Sequence, residues 1–466
     1  LFFGSLFLAL TTSIFADVNE KSSHNYSVTI DPELKLIEVV ACFSGKPSFS
    51  LVAESLDAPL ALVYARIRSS GKSLTPSGNI KLKNLEPNDC LEYGVNVERP
   101  YMAHDRRETT LKRVGSDLLL AEGIWLWRPE SLPDNHQMFV TFSLPPGVSV
   151  SVPWISVEGV SNKFEMKLTP ASWPAFTAFG RFSEQLILVS NARLRLSILE
   201  SRRQIDFEKS IIEGIRQAAD LVSSTIKKFP VENLQIVVEP GGYGPNAVVM
   251  GYVSRGENPA VHLLINERKH KIFANDSILI HELSHLLLPK VNMDEPWLTE
   301  GLATYYEHLL LARGKIKSSS EIIKLFAIKF ELARQSGENQ PLAQISPTRS
   351  FSFGRDQVYW GGASIFFVAD VNLRKKTNGL MSLDTILMKF MDCCAKNRTS
   401  WSALELFEVF DQLSGFSIFL DLYKSYVLAN VFPPVKKSFR SLGYRISGQG
   451  NNTKVSVHDG QKLNIF

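Results

Sequence analysis

The stretch HELSHLLLPKVNMDEPWLTEG, from His281 to Gly301, sets two histidines and three glutamates in a largely apolar run. Asn275 or Asp276 can cap a helix ahead of it and Pro289 ends one, so residues 276–288 are expected to be helical. On such a helix His281 and His285 stand one turn apart and point the same way. That spacing suits two imidazoles on one metal ion, with Glu282 beside the water such an ion would carry. A metal of this class needs a third protein ligand. A second helix is expected over EPWLTEGLATYYEHLLLARG, with Pro296 in its first turn and Gly314 at its end. Glu300 lies early on it, and the short link KVNMDE lets a helix–loop–helix hairpin bring Glu300 to the histidines. Glu295, at the start of that helix, is expected to face solvent. Two His and one Glu leave one position open, which is a catalytic rather than a structural zinc pattern. The rival reading, two solvated histidines, must account for their setting among Leu279, Ile280, Leu283, Leu286 and Leu287, where an unpaired imidazole pair is costly. Glu307, about two turns beyond Glu300, either orients a ligand from behind or is a solvated helix residue.

Outward from this stretch the pattern changes on both sides. Before it, QIDFEKSIIEGIRQAADLVSSTIKKF reads as a long amphipathic helix, and EQLILVSNARLRLSILES, LQIVVEP, AVVMGYVSRG and AVHLLIN read as strands. From about Tyr26 to Pro174 short β-type runs are punctuated by Pro, Gly, Asn and Asp, among them GIWLWRP, MFVTFSL and VSVPWISV. They predict an antiparallel sheet or sandwich. His24, His104 and His136 lie far apart there and are expected at the surface. After Gly314 the chain is mainly helical, with a loop-like interval over GENQPLAQISPTRSFSFGRD. QVYWGGASIFFVADVNLRKKT reads as a helix despite its paired glycines, and the tail suggests a small β addition.

The 466 residues allow several domains with sizeable cores; 44% are hydrophobic and 21% charged, as in an ordinary folded protein. The formal charge is only +4 and the basic residues are dispersed, which gives a nucleic-acid-binding reading no support. The opening LFFGSLFLALTTSIFADVNE resembles the apolar core and cleavage zone of a secretory signal, with cleavage expected near Ala16. No later segment reads as transmembrane. Four cysteines cannot supply a disulfide framework for a chain this long. A Cys42–Cys90 bridge is open, whereas the adjacent Cys393 and Cys394 are not expected to pair.

The segment WLTEGLATYYE, Trp297 to Glu307, resembles the W-x-x-E-G-x-A-x-Y-x-E run that follows HExxH in gluzincin metallopeptidases. The resemblance implies His281, His285 and Glu300 as ligands of one zinc ion per chain, and Glu282 as general base. The gap from the second His to the Glu is shorter than in large aminopeptidases of the leukotriene-hydrolase type. Downstream, VYWGGASIFFVADVNLRKKTNGLMSLDTIL resembles the Y-x-K-G-A…D…L-R…T-x-G…S-L-D-x-x-L segment of the glycyl aminopeptidase family. It implies that the Tyr359 hydroxyl donates to the tetrahedral intermediate. Gly361 stands where that family carries lysine, and Gly362 takes the glycine place. The G-x-M-E-N motif that holds a substrate amine in the large aminopeptidases is absent, and neither Glu257 nor Glu267 replaces it. Gly241, Gly242 and Gly244 read as a turn, followed by AVHLLIN as the strand that pairs with an extended peptide.

The resemblance covers roughly residues 204–430. The expected fold is multidomain α+β: an N-terminal antiparallel β domain (17–180), which fits the same architecture more loosely, a thermolysin-like zinc peptidase domain (181–314), a C-terminal helical region (315–430), and a tail (431–466) that the resemblance does not cover. The expected activity is zinc-dependent hydrolysis of peptides or proteins, aminopeptidase-like, in an exported bacterial envelope or periplasmic enzyme. Two alternatives stay open: an inactive peptide-binding module on the same scaffold, and a zinc hydrolase of non-peptide substrates.

Overall fold

The structure is a computed structural model that describes residues 22–466 apart from 46, 48–49, 54, 76–78, 83–84, 101–110, 130–131, 133–135, 168–174, 200–204, 337–339, 350–354, 399 and 458–462. The expected signal segment and His104 lie outside the described residues.

The N-terminal part is β-rich. Seven strands run in the order Ile155–Ser156, Lys163–Met166, His136–Ser143, Ser22–Ile30, Leu36–Cys42, Cys90–Asn96 and Leu62–Ile67. A four-stranded sheet runs Ser149–Ser151, Phe176–Gly180, Asp117–Ala121, Leu111–Val114. Alternate residues of Ser22–Ile30 are buried, the period-two signature of a half-buried strand. The apolar core of this part gathers Tyr26, Trp125, Trp127, Phe142, Trp154 and Phe179. GIWLWRP is not one strand: Glu122–Trp125 makes a helical turn that swings Trp125 into the core, where its Nε1 donates to Thr177 Oγ1 at 3.1 Å.

One pairing departs from the expected antiparallel pattern. Ser22–Ile30 runs parallel to His136–Ser143. This brings together two histidines expected apart at the surface, with His24 Nε2 and His136 Nδ1 at 2.6 Å and His24 fully buried. The Ser44 amide donates to His24 Nδ1 at 3.2 Å, so the bridging proton sits on His24 Nε2. Burial, with His136 beside it, lowers the His24 pKa to about 4. Cys42 and Cys90 face one another on neighbouring antiparallel strands and are bridged.

A five-stranded sheet follows, in the order Ser183–Val189, Ala192–Ile198, Asn233–Pro240, Ala260–Ile265, Val248–Ser254. Its central pairings are parallel and its two outer ones antiparallel. AVHLLIN is therefore interior, and the edge is Val248–Ser254, a correction to the expected peptide-pairing strand. The helix Ile205–Ile226 buries Phe207, Ile211, Ile215, Ala218, Val222 and Ile226, the spacing of one apolar face. The remaining helices share one apolar core with this sheet, which extends to Ile465.

The interval expected as a loop contains a helix, Leu342–Arg349. The tail forms the expected β addition by pairing Tyr444–Ser447 with Lys454–Val457. Its last residues are fastened by Arg313 Nη2 donating to Ile465 O (3.2 Å) and Arg374 Nη1 donating to Asn464 O (2.9 Å). Cys393 and Cys394 are joined, against expectation. Cys394 has already left helical geometry as the C-cap of Leu383–Cys393, which frees its side chain to meet its neighbour. Among the described residues, no helix is long and apolar enough to cross a membrane.

Candidate metal centre

The histidine helix spans Ser277–Ser284 and tightens into a 3₁₀ turn at His285–Leu287. Asp276 caps it, accepting from the Ile278 amide at 2.9 Å through Oδ1. Its Oδ2 accepts from the Ala247 and Val248 amides at 2.8 and 3.0 Å. One carboxylate thus fixes the start of the helix and the start of the edge strand together. The second helix of the hairpin spans Pro296–Arg313, with Pro296 in its first turn as expected. Glu295 does not simply face solvent. Its Oε2 accepts from the Ala403 amide at 2.7 Å, binding the hairpin to the helix Ala403–Ser414, and burial raises its pKa to about 7.

The hairpin brings the three expected ligands together. One donor atom from each of His281, His285 and Glu300 lies within 4.8 Å of the others. His281 Nε2 is 3.2 Å and His285 Nε2 is 3.5 Å from Glu300 Oε2. The two imidazoles are nearly perpendicular, with ring centroids 4.9 Å apart. Glu307, on the same face of the second helix as Glu300, accepts from His281 Nδ1 at 3.1 Å through Oε2. That bond holds the proton on Nδ1 and turns Nε2 inward, the arrangement expected behind a metal-binding imidazole. Of the two readings open for Glu307, the orienting one holds.

The electrostatics describe a cluster that seeks a cation. Burial lowers the His281 pKa, but hydrogen bonds to Glu300 and Glu307 outweigh it and raise the value to about 10. Burial would raise the Glu300 pKa, yet His285 and His281 hold it at about 2. His285, for which burial dominates, falls to about 3 and stays neutral. Glu282 is raised to about 7, first by burial and then by Glu300 and Glu307, against His281 and Arg355. Two imidazole nitrogens and one carboxylate oxygen, buried and convergent, match the donor set and open geometry of catalytic zinc. Glu282 is adjacent to the ligands without being one of them.

Tyr359 reaches this cluster through an unusually close helix crossing. A Cβ on Gly362 of the helix Arg355–Lys376 would overlap the Trp297 carbonyl oxygen, and one on Gly301 would lie 2.5 Å from the Gly362 carbonyl carbon. Glycine is required at both positions, and the contact lays Tyr359 beside Glu300. The Tyr359 hydroxyl hydrogen-bonds Glu300, its ring stacks on His281 at 5.9 Å and 11°, and the Arg355 guanidinium carbon lies 4.7 Å over it. Burial, then Glu300, pushes the hydroxyl pKa well up, so it is a donor.

Other residues of the downstream motif are scaffold. Asp370 accepts from the Tyr305 hydroxyl (2.8 Å), Arg374 Nε (3.1 Å) and the Leu383 amide (2.7 Å). Asp384 accepts from the Tyr306 hydroxyl at 2.8 Å and pairs with Arg313 at 2.8 Å.

Beside Glu282 lies the edge strand. A Cβ at Gly251 would overlap the Glu282 side chain, so the strand presents bare main chain to that carboxylate. Sequence reasoning passed over Arg255, just beyond this strand. Burial lowers its pKa, against Glu300, Tyr252 and Glu282. Its position on the period-two face of Gly251 was the available signal.

No protein-family model and no curated protein matches the chain. Solved structures match its fold. An aminopeptidase N family protein from Idiomarina loihiensis gives a TM-score of 0.68 at 16% identity, over 94% of this chain and 82% of that one. An M1 zinc metallopeptidase from Deinococcus radiodurans, bound to a Tyr-Ser-Ala substrate, gives 0.57 at 14% identity, over 89% and 95%. Yeast LTA4 hydrolase in complex with bestatin gives 0.56 at 15%, over 91% and 71%. The chain shares the fold of these solved structures, and its His-His-Glu cluster is consistent with one zinc site.

Proposed function

We propose that this chain hydrolyses peptide bonds with one zinc ion held by His281, His285 and Glu300, in an aminopeptidase-like site. The observation that carries the reading is the convergence of two imidazoles and one carboxylate with a fourth buried group, Glu282, beside them and outside the ligand set. A zinc ion in this position supplies Lewis acidity, toward both a water and a substrate carbonyl. Glu282, with its pKa near 7, accepts a proton from the attacking water and passes it to the leaving amine. Tyr359 donates its hydroxyl proton in a hydrogen bond to the developing oxyanion, exchanging Glu300 for that partner. Glu307 keeps His281 in the required tautomer throughout. The edge strand Val248–Ser254 offers main-chain pairing to an extended substrate across the glycine at 251.

The test is a mixed peptide library with free and blocked N-termini, incubated with the zinc-loaded protein and read by mass spectrometry. Cleavage by wild type and none by Glu282→Gln is expected. Equal cleavage by both in clean preparations defeats the mechanism. Processing confined to free N-termini marks an aminopeptidase, and internal cleavage of blocked peptides marks an endopeptidase.

We also propose an exported, cell-envelope location. The Cys42–Cys90 bridge supports it, since such bonds persist in oxidising compartments. Fractionation of expressing cells tests it, and a reduced, cytosolic product counts against it.

A further inference from the structure

The edge strand carries, besides its bare main chain, a charged group that the proposed chemistry leaves unused. Along Val248–Ser254 successive side chains alternate between faces. Gly251 lies on the face of Glu282, and Val253 is buried on the same side in the core shared with Leu279 and Leu283. Arg255 continues that face one step beyond the strand. Its guanidinium is felt by His285, Glu300 and Glu282, which places it near the candidate metal centre, while the residue as a whole is half-buried. Nη1 of Arg255 is buried and, among the described residues, has no hydrogen-bond partner.

A buried guanidinium nitrogen without an acceptor is costly, because it forfeits hydration and gains nothing in exchange. The neighbouring carboxylates do not remove the need. Glu300 and Glu282 act on it electrostatically, yet neither accepts a hydrogen bond from Nη1; a third carboxylate, Glu307, is engaged by His281. Arg355 adds a second guanidinium over Tyr359. With a divalent ion in place, these groups set four positive charges against three carboxylates, leaving an excess that suits an anionic ligand.

We propose that Arg255 is a specificity-determining residue that anchors a carboxylate of the substrate beside the scissile bond. The carboxylate is an Asp or Glu side chain or a free C-terminus; both offer the planar pair of oxygens that a guanidinium recognises in a two-pronged contact. The inference rests on the hydrolase reading for the words "scissile bond", but the anchoring can be measured without turnover.

The probes are hexapeptides with free N-termini and amidated C-termini in matched pairs, with Glu replacing Gln at each position in turn, and one neutral peptide with its C-terminus free or amidated. Titration calorimetry on zinc-loaded Glu282→Gln protein reads binding, and kcat/KM on wild type reads turnover. A gain of about tenfold or more for one Glu position, or for the free C-terminus, is expected, in line with a charge-assisted hydrogen bond. Which of the two gains appears identifies the source of the carboxylate. Arg255→Met, which keeps the apolar stem, and Arg255→Gln should reduce that gain to about twofold or less while leaving affinity for the neutral peptides within about twofold. Arg255→Lys should retain part of the gain.

Wild-type ratios near one at every position and terminus overturn the proposal, and they remain decisive even where both neutral variants misfold. A gain that survives in Arg255→Met also overturns it. Tight binding of carboxylate peptides with no hydrolysis of any peptide sinks the hydrolase reading and leaves the anchor standing. Hydrolysis without charge preference does the reverse.

Discussion

His281 Nδ1 donates to Glu307 Oε2 across 3.1 Å, and Glu307 stands on the same helix, and the same face, as Glu300, whose Oε2 lies 3.2 Å from the other nitrogen of that imidazole. One helix therefore grips one ring from both ends. Replacing Glu307 by Gln should lower zinc affinity by about 10- to 100-fold, the usual cost of losing the carboxylate behind a ligating histidine. Competition with a fluorescent zinc chelator measures it. An unchanged affinity removes Glu307 from the metal centre.

Glu282→Gln should keep one zinc per chain and remove most turnover, because Glu282 lies outside the ligand set. Tyr359→Phe should also keep zinc and lose on the order of 10²–10³ in kcat, as for other oxyanion donors. His281→Ala or Glu300→Ala should lose metal and activity together. Metal analysis beside steady-state rates separates these classes, and a Tyr359→Phe rate within about twofold of wild type excludes the hydroxyl from the chemistry.

Removal of zinc by chelation should lower the melting temperature, since a ligand that binds only the folded chain stabilises it by mass action; a hundredfold excess over Kd is worth about 2.7 kcal/mol. Differential scanning calorimetry before and after readdition checks both the loss and its reversal.

Gly362→Ala should destabilise the fold by about 1–3 kcal/mol or more, because the new methyl meets backbone, which cannot swing away as a side chain can. The surviving folded fraction should show reduced kcat, since the same crossing places Tyr359. Denaturant unfolding measures the first effect. A variant as stable as wild type shows that the two helices can separate without cost.

The His24–His136 pair gives an acid-sensitive step outside the candidate metal centre. The folded His24 pKa is about 4, below the ordinary 6.5, so the unfolded chain binds the proton more readily. Its contribution is present above pH 6.5 and is lost as pH falls from there toward 4, on the order of 3 kcal/mol in all, less what solvent screening removes. Urea unfolding at stepped pH should show this slope in wild type and a shallower one in His24→Gln.

The metal centre was legible in the sequence because its geometry is local. Helical periodicity places His281 and His285 together, and a short link carries Glu300 to them. Tyr359 came from a resemblance, and its placement rests on Gly301 meeting Gly362, a contact between helices that no spacing rule reveals. The edge strand was misassigned for a related reason. Alternating hydrophobicity marks Val248–Ser254 and Ala260–Ile265 alike as strands but says nothing of their order in the sheet. His24 and His136 are 112 residues apart, and only their parallel pairing joins them. Arg255 looks like any loop arginine until its Nη1 is seen to be buried.

Asp276 accepts at once from the first turn of the histidine helix and from the first residues of the edge strand. The helix cannot fray from that end without taking the acceptor from the strand, and the strand cannot fray without leaving Asp276 Oδ2 short of its donors. The amides of Ala247, Val248 and Ile278 should therefore exchange with deuterium in a single cooperative opening, although about thirty residues of chain separate them. A substrate that pairs with the strand would slow that opening and protect the helix bearing Glu282 as well.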